Sequence, residues 1–331
     1  MRIALDAMGS DNAPAVEIEG AVEALKSSEG AFRLVLVGDR VAIEAELRRY
    51  PAASREQIDV VHAPQRIEMG EPPAQAIRRK PGSSIAVGLG LHKRGEVNAF
   101  ISAGSTGAVM AGSLLMLRPL PGVDRPAVGS LFPTAAGQTL VIDSGANVDT
   151  RPHHLVQFAH LGSIYAEDLM GIDTPRIGLL NIGEEPEKGD ERSVEAYRLL
   201  AADTRLNFVG NIEGRDVVGG NCDVLVCDGF VGNVLLKFYE SIAEFVAGII
   251  RKGPVGSDAE PHAKRILETL DYTKLGGAPL LGVGGVTIIC HGGSPPRAIC
   301  NAIQMAAQAV QRGMVGHIER EMSRLAEMSS A

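Results

Sequence analysis

Two glycines and two hydroxyl side chains stand side by side in the segment FISAGSTGAVMAG (100–112). An apolar run leads into Gly104, Ser105, Thr106 and Gly107, and a helical pattern follows them. Free backbone N–H groups and the positive end of a helix dipole favour an anion at such a position. The segment is neither a Walker loop nor a dinucleotide-binding fingerprint. A close-packed strand-to-helix turn would use the same residues, but the two hydroxyls favour the anion, and we predict an anion-binding loop.

Aspartates follow three other apolar runs, in LDAMGSDNAP (5–14), VIDSGANVD (141–149) and VCDGFVGNVLLK (226–237). The carboxylates of Asp6, Asp143 and Asp228 can orient a substrate or its donors, and Asn147 and Asn233 add amide groups. Close oxygen side chains also bind hard cations, but turn chemistry explains this spacing about as well. We predict no metal and no cofactor.

Lys188 and His291 are the candidate groups for moving charge. Lys188 lies in the loop LLNIGEEPEKGDE (179–191), where it could neutralise a phosphate or an oxyanion, or be a solvated ion-pair partner. His291 follows an apolar run in CHGGSPP (290–296) and could donate a proton near neutral pH, although a lone histidine is more often structural.

The densest basic run of the chain is Arg78, Arg79 and Lys80, in IRRKPGSS (77–84). Cations are favourable at a helix C-terminus, which is the structural alternative. The protein is acidic overall, with a formal net charge of −8, so an acidic partner would need a local basic patch. We predict that this run docks such a partner.

The elements that must hold these residues recur as one pattern: an apolar run, a polar loop and a helical stretch. Continuous Val, Ile and Leu runs indicate strands buried on both faces. Their alternation with helices predicts an α/β fold with a doubly wound, mostly parallel sheet and helices on both faces. The polar loops should then gather at the carboxyl ends of the strands. No domain boundary is sharp, so we predict one catalytic domain over 1–331, with a helical excursion near 234–275.

Composition excludes several classes of protein. The chain has 331 residues, 45% of them apolar, which suffices for a large core. A general nucleic-acid binder would be basic, so this class is excluded. The four cysteines form no C-x-x-C pair and are predicted to be buried thiols. No apolar window is long enough to span a bilayer and no secretory signal is visible, so we expect a cytoplasmic protein.

Taken in order, the loops resemble those of one family, the bacterial phosphate acyltransferases. The resemblance rests on DAMGSDNAP, ISAGSTGA, DSGANVD, LLNIGEE, GNIEGRD, CDGFVGN, LGGAPLLGV and CHGGS, and extends from Met1 to at least His291. Each motif is weak, but eight in sequence are specific. The family usually has a second glycine where Ser10 stands and an asparagine where Ser105 stands.

The resemblance implies transfer of a long-chain fatty acyl group from acyl carrier protein to inorganic phosphate, giving an acyl phosphate for phosphatidic acid synthesis. It implies a fold similar to phosphotransacetylase and isocitrate dehydrogenase, and a homodimer. A peripheral contact with the inner face of the membrane and a glycerol-3-phosphate acyltransferase partner stay open, because the family's Lys- and Met-rich hairpin is shorter and more acidic here.

Roles for the predicted residues follow from this reaction. The loop from Gly104 to Gly107 would hold phosphate, which is itself the nucleophile, and Lys188 would balance its charge. Asn147, Asn233 and His291 would polarise the thioester or protonate the departing sulfur. The three aspartates would orient these donors, and Arg78, Arg79 and Lys80 would dock the acidic carrier protein.

Three alternatives share parts of this pattern. A phosphotransacylase that uses acyl-coenzyme A has the same chemistry with another thiol carrier. A dehydrogenase on the related fold would need a dinucleotide fingerprint, and a non-catalytic scaffold of lipid synthesis would bind without turnover. For the acyl chain itself, segments 107–123 and 245–250 could line an apolar trough, or belong to the core or to a subunit interface.

Overall fold

A computed structural model describes residues 1–28, 30–252 and 276–330. These residues form eleven strands: β1 Arg2–Asp6, β2 Arg33–Gly38, β3 Ile58–His62, β4 Ala99–Ser102, β5 Ala127–Thr134, β6 Gly137–Ile142, β7 Arg176–Asn181, β8 Asn207–Glu213, β9 Val224–Val226, β10 Ala278–Leu281 and β11 Val286–Ile289. Their α-helices are α1 Ala15–Ser27, α2 Arg40–Leu47, α3 Pro73–Arg79, α4 Ser84–Lys93, α5 Thr106–Met116, α6 Pro152–Tyr165, α7 Glu191–Ala202, α8 Gly229–Lys252, α9 Pro296–Arg312 and α10 Met314–Ser330.

The described residues divide into two compact units. The first unit contains 1–126 and 276–330, and the second contains 127–252. Both units combine helices with mostly parallel strands, so the predicted α/β class is confirmed. The prediction of one catalytic domain over 1–331 stays a prediction.

In the first unit the strand order is β3-β2-β1-β4-β11-β10. All neighbouring pairs are parallel except β10 with β11. Ile3, Ala4 and Leu5 of β1 are completely buried, as expected for a central strand covered on both faces. The order reverses between β1 and β4, since β2 and β3 lie on one side of β1 and β4 on the other. Ligands of open parallel sheets bind at such a switch point, where the loops after β1 and β4 lie.

In the second unit the strand order is β5-β6-β9-β7-β8. Only β5 pairs antiparallel with its neighbour β6, and the other strands are parallel. A buried cluster that includes Phe132, Val141 and Leu225 forms the core between strands, and Leu235 and Tyr239 of α8 pack against it. The carboxyl ends of β6, β9 and β7 are therefore neighbours, with the loops that start at Asp143, Cys227 and Ile182.

The predicted excursion near 234–275 falls only partly within the described residues. Its first part belongs to α8, and residues 253–275 lie outside the description. One side of α8 exposes a row of large apolar side chains, among them Val234, Phe238, Phe245 and Ile249. Among the described helices, none combines the length and the apolar composition needed to cross a bilayer.

Candidate active site

Asp6, at the end of β1, joins the loops after β1 and β4. Its carboxylate is buried and accepts hydrogen bonds from the Met8 amide (3.0 Å) and the Ser102 hydroxyl (2.7 Å). Burial raises the pKa of Asp6, against the lowering effect of these hydrogen bonds and of Arg66. Asp6 therefore fixes the loops after β1 and β4 to each other within the first unit.

The predicted anion loop uses some of its polar groups internally. The Gly104 amide donates to the Ser102 hydroxyl (3.0 Å), and the Ser105 hydroxyl caps α5 by accepting from the Ala108 amide (3.4 Å). The amides of Ser105, Thr106 and Gly107 have no hydrogen-bond acceptor within the described residues, as expected at a helix start. The Thr106 side chain is exposed. The groups of this loop that can still bind an anion are therefore the amides of Ser105, Thr106 and Gly107 and the Thr106 hydroxyl.

The loop after β1 packs directly on this anion loop. A Cβ atom on Gly9 would lie 2.7 Å from the Gly104 nitrogen and 2.9 Å from Ala103, so only glycine permits the approach. The Asp11 amide donates to the Gly292 carbonyl (2.9 Å), which brings in the loop after β11. His291 of that loop is exposed, and its Nδ1 accepts from the Gly293 amide (3.1 Å). Nε2 is then the nitrogen that can carry a proton outward.

Glu17 is a buried carboxyl group that the sequence analysis did not single out. It is completely buried in the first turn of α1, where one oxygen accepts from the Ser10 amide (2.8 Å). Burial raises its pKa to about 7. The Ser10 carbonyl in turn accepts from Arg66 (3.1 Å). An acid in a first helical turn usually faces solvent, so the sequence contains no signal for this position.

In the second unit, Asp143 organises the loop after β6. It is buried and accepts from the amides of Val128 (3.0 Å), Ala146 (3.0 Å) and Asn147 (2.6 Å). The other contact that matters is the Asn147 side-chain amide, which donates to Asp143 at 2.9 Å. Burial raises the pKa of Asp143, opposed by these bonds. Asp143 therefore holds Asn147 directly, and its role in orienting a catalytic donor stays a prediction.

Asp228 connects α8 to Arg192. One carboxylate oxygen caps α8 by accepting from the amides of Phe230 (2.9 Å) and Val231 (3.0 Å), and the other accepts from Arg192 (2.9 Å). Arg192 also donates to the Thr150 hydroxyl (3.1 Å). Arg192 was not predicted from the sequence, because an arginine among acids at the start of a helix is usually a solvated surface residue.

Asn233 and Lys188 both expose their side chains in the second unit. Asn233 lies on α8 against the loop after β6, since a Cβ on Gly145 would lie 3.6 Å from its side chain. The loop of Lys188 is fixed by its backbone, because Asn181 donates to the Lys188 carbonyl (2.9 Å) and Asn211 to the Glu185 carbonyl (2.8 Å). The Lys188 ammonium has no ion-pair partner among the described residues. It can therefore act on a bound anion.

The four cysteines are buried and unpaired with one another. Burial raises the pKa of Cys222 and Cys290 to about 12 and that of Cys227 well above its usual range. Thiols in this state are poor nucleophiles at neutral pH. This confirms the prediction of buried structural thiols.

The basic run lies at the C-terminal end of α3, and its three cations differ in exposure and in their partners. Arg78 and Arg79 are exposed, whereas Lys80 is half-buried, donates to the Arg66 carbonyl (2.9 Å) and pairs with Glu71. The hydrogen bond between the Lys80 ammonium and the Glu71 carboxylate lowers the pKa of Glu71. Lys80 thus fixes a loop, and two of the three predicted docking cations remain available.

Residues 1–317 match the family described as "Fatty acid synthesis protein". Relatives named phosphate acyltransferase include those of Heliobacterium modesticaldum, 48% identical over 97% of this chain and 98% of that protein, and Halothermothrix orenii, 46% identical over 98% and 99%. A third, from Desulforamulus reducens, is 46% identical over 97% of both chains.

Among solved structures, this chain is similar to the EutD phosphotransacetylase of Staphylococcus aureus (TM-score 0.62, 16% identity, 94% of each chain). It is also similar to a phosphotransacetylase of Streptococcus pyogenes (TM-score 0.63, 16% identity, 94% of each chain). At these identities the likeness shows the fold alone. It confirms the predicted phosphotransacetylase-like fold.

Proposed function

This chain belongs to the phosphate acyltransferase family and is an acyltransferase, and on that premise we propose that it moves a long-chain fatty acyl group from acyl carrier protein to inorganic phosphate. A phosphate oxygen attacks the thioester carbonyl, the carbon–sulfur bond breaks, and the carrier thiolate leaves and takes a proton. The products are an acyl phosphate and the free carrier thiol. The acyl phosphate would then serve phosphatidic acid synthesis.

The observation that carries this proposal is the row of three amides at Ser105, Thr106 and Gly107, for which the described residues provide no hydrogen-bond acceptor. They begin α5, beside the switch point of the first sheet, where amide donors and the helix dipole favour an anion. Neutral amides hold phosphate without a tight ion pair, which leaves its oxygens nucleophilic. Fixing phosphate in this way supplies the orientation that a bimolecular attack otherwise lacks.

The second unit supplies the groups for the developing charge. Lys188 would stabilise the oxyanion or balance phosphate, and Asn147 and Asn233 would donate to the thioester carbonyl. Asp143 would keep Asn147 in place, and Asp228 the start of α8, while Asp6 anchors the phosphate loop. His291 would protonate the departing sulfur through Nε2.

Direct attack by phosphate needs no nucleophile from the protein. The raised pKa values of the cysteine thiols support this part of the proposal, because thiols that stay protonated would not form an acyl-enzyme. The phosphate is then the only strong nucleophile that the reaction requires.

The partners of the reaction are also proposed. Arg78 and Arg79 would dock the acidic carrier protein through complementary charge. The exposed apolar side chains of α8 are compatible with a homodimer or a peripheral membrane contact. Cytoplasmic location and a glycerol-3-phosphate acyltransferase partner stay predictions.

The test is a thiol-release assay with and without phosphate. The purified protein is given palmitoyl carrier protein, and free thiol is expected only with phosphate, together with a product that hydroxylamine converts to the hydroxamate. Palmitoyl-coenzyme A in a parallel arm distinguishes the phosphotransacylase alternative, which predicts faster release from coenzyme A. Binding of the carrier with no thiol release under either condition would favour the non-catalytic scaffold.

A further inference from the structure

The second unit contains a cavity of about 760 Å³ beside the Lys188 loop. Its lining includes Val231, Val234 and Phe238 of α8, together with Leu180 at the end of β7 and Ile182 just after it. We call these five residues the α8 groove. Its volume lies within the range of about 300–1,000 Å³ that is typical of small-molecule sites.

The walls of the α8 groove are apolar side chains that solvent reaches. Val234 is 54% exposed, Phe238 63% and Ile182 81%. Val231, Val234 and Phe238 are spaced three and four residues apart, so they share one face of the helix. Large apolar side chains grouped around a concave surface usually mark a binding site.

The polar part of the lining is acidic. Asp190, Glu213 and Asp228 contribute to it beside Arg192, which pairs with Asp228 at 2.9 Å and with Asp190 at 3.3 Å. The charge of Arg192 is therefore balanced within the protein. The feature of the cavity that complements a ligand is the apolar groove, which suits a hydrocarbon chain.

We propose that the α8 groove binds the hydrocarbon chain of the fatty acyl substrate. The proposal rests on the proposed function and names the site of its acyl group. It differs from the sequence prediction of a trough in 107–123 and 245–250. Gly112 of the first segment packs in the core, where a Cβ would lie 2.5 Å from Leu89, and Phe245 of the second does not line the cavity.

Chain-length dependence tests the groove, with one carrier protein used throughout so that docking stays constant. Phe238→Ala is expected to lower the ratio of kcat/KM for palmitoyl to that for hexanoyl carrier protein about tenfold, because the longer chain loses more apolar contact. Phe245→Ala is the matched control: the same residue type on the same helix, 65% exposed against 63%, and outside the cavity. Its ratio should equal that of the unaltered protein.

A second pair places a charge on the same helix. Val234→Glu, at a position 54% exposed, should lower the ratio at least as strongly, and Ile249→Glu, at 56%, should not. Equal losses within each pair would overturn the groove and indicate that this face of α8 contacts a second copy of the chain or a membrane.

Two further outcomes separate the groove from the reaction. Phosphate-dependent thiol release with an unchanged ratio in both Phe238→Ala and Val234→Glu would overturn the groove and leave the proposed function standing. No phosphate-dependent release from any carrier substrate would overturn the proposed function itself.

Discussion

In both units a buried aspartate fixes the loop at the end of a strand, but the two units expose different groups beside it. In both, a buried aspartate accepts several hydrogen bonds and fixes a loop, Asp6 in the first unit and Asp143 in the second. The first unit then leaves backbone amides unoccupied, at Thr106 and its neighbours. The second leaves side chains exposed, such as Lys188, and an apolar cavity.

This difference indicates a division of labour. Amides suit a small anion whose oxygens must stay reactive, since they donate without a full charge. A flexible cation and an apolar groove suit the other substrate, whose carbonyl develops charge only during the reaction and whose tail is hydrocarbon. Changes in the first unit should therefore act on phosphate, and changes in the second on the acyl substrate and on turnover.

The largest expected effect is a loss of turnover when a lysine of the second unit is replaced. Lys188→Ala should lower kcat about 100- to 1,000-fold, as the loss of one charge-stabilising donor does in other acyl transfers. Steady-state thiol release at saturating phosphate measures it. Lys237→Ala, an exposed lysine of α8 that pairs with Glu240, is the control and should keep its turnover. A Lys188→Ala protein with unchanged kcat and unchanged phosphate dependence would remove Lys188 from the mechanism.

The next effect concerns the stability of the first unit. The pKa of Glu17 is raised from 4.5 to about 7 in the fold, so the folded protein binds the extra proton between these values. Stability contributed by this group therefore falls as the pH rises from 4.5 through 7. Glu17→Gln, which stays neutral, should exceed the unaltered protein in unfolding free energy by about 3 kcal/mol at pH 8, and by little near pH 4.5.

Urea unfolding at pH 5 and pH 8 checks this prediction. Glu19→Gln changes an exposed glutamate of the same helix and should show no such pH dependence. A gap between Glu17→Gln and the unaltered protein that is the same at both pH values would contradict the raised pKa of Glu17.

A smaller effect should isolate phosphate binding. Gly9→Ala forces a Cβ to within 2.7 Å of the Gly104 nitrogen, so the anion loop must move. We expect the KM for phosphate to rise about tenfold, with a smaller change in the KM for the carrier protein. Gly70→Ala meets no atom of the described residues within 4 Å and should leave both constants unchanged. A rise confined to the carrier KM would contradict the separation of roles between the units.

The smallest effect is expected at the docking surface. Charge reversal of Arg78 and Arg79 to glutamate should raise the KM for acyl carrier protein a few-fold at low salt, and less at high salt, without affecting palmitoyl-coenzyme A. The same reversal at the exposed Arg48 and Arg49 is the control. Equal effects of the two double variants would place docking elsewhere.

Local pattern predicted much of the fold and part of the candidate site. β1, β2 and β7 were predicted from the apolar runs RIAL (2–5), RLVLVGD (33–39) and RIGLLNIGEE (176–185). α5 begins at Thr106, where the helical pattern starts. β5, β8 and β10 were not predicted, because Gly, Ser or Pro interrupts the apolar residues of β5 and β10 and polar residues interrupt those of β8. Pairing across the sheet, rather than local pattern, makes them strands.

The groups that the sequence concealed depend on contacts between distant segments. Buried Glu17 accepts from the Ser10 amide of the loop after β1, and Arg192 pairs with Asp228, 36 residues away. Conversely, Gly104 and Ser105 suit an anion by type, yet the fold engages the amide of one and the hydroxyl of the other internally. Residue type indicated the loops, and only the folded chain shows which atoms remain free.

A half-reaction experiment, in which the acyl substrate is added without phosphate, tests direct attack most closely. The protein is mixed with palmitoyl carrier protein in excess, thiol release is followed by stopped flow, and the intact mass of the chain is measured. Direct attack predicts that no thiol is released until phosphate is supplied. It also predicts that the mass of the chain shows no added acyl group at any stage. A burst of one thiol per chain with a palmitoylated protein, before any phosphate is added, would contradict it and establish an acyl-enzyme.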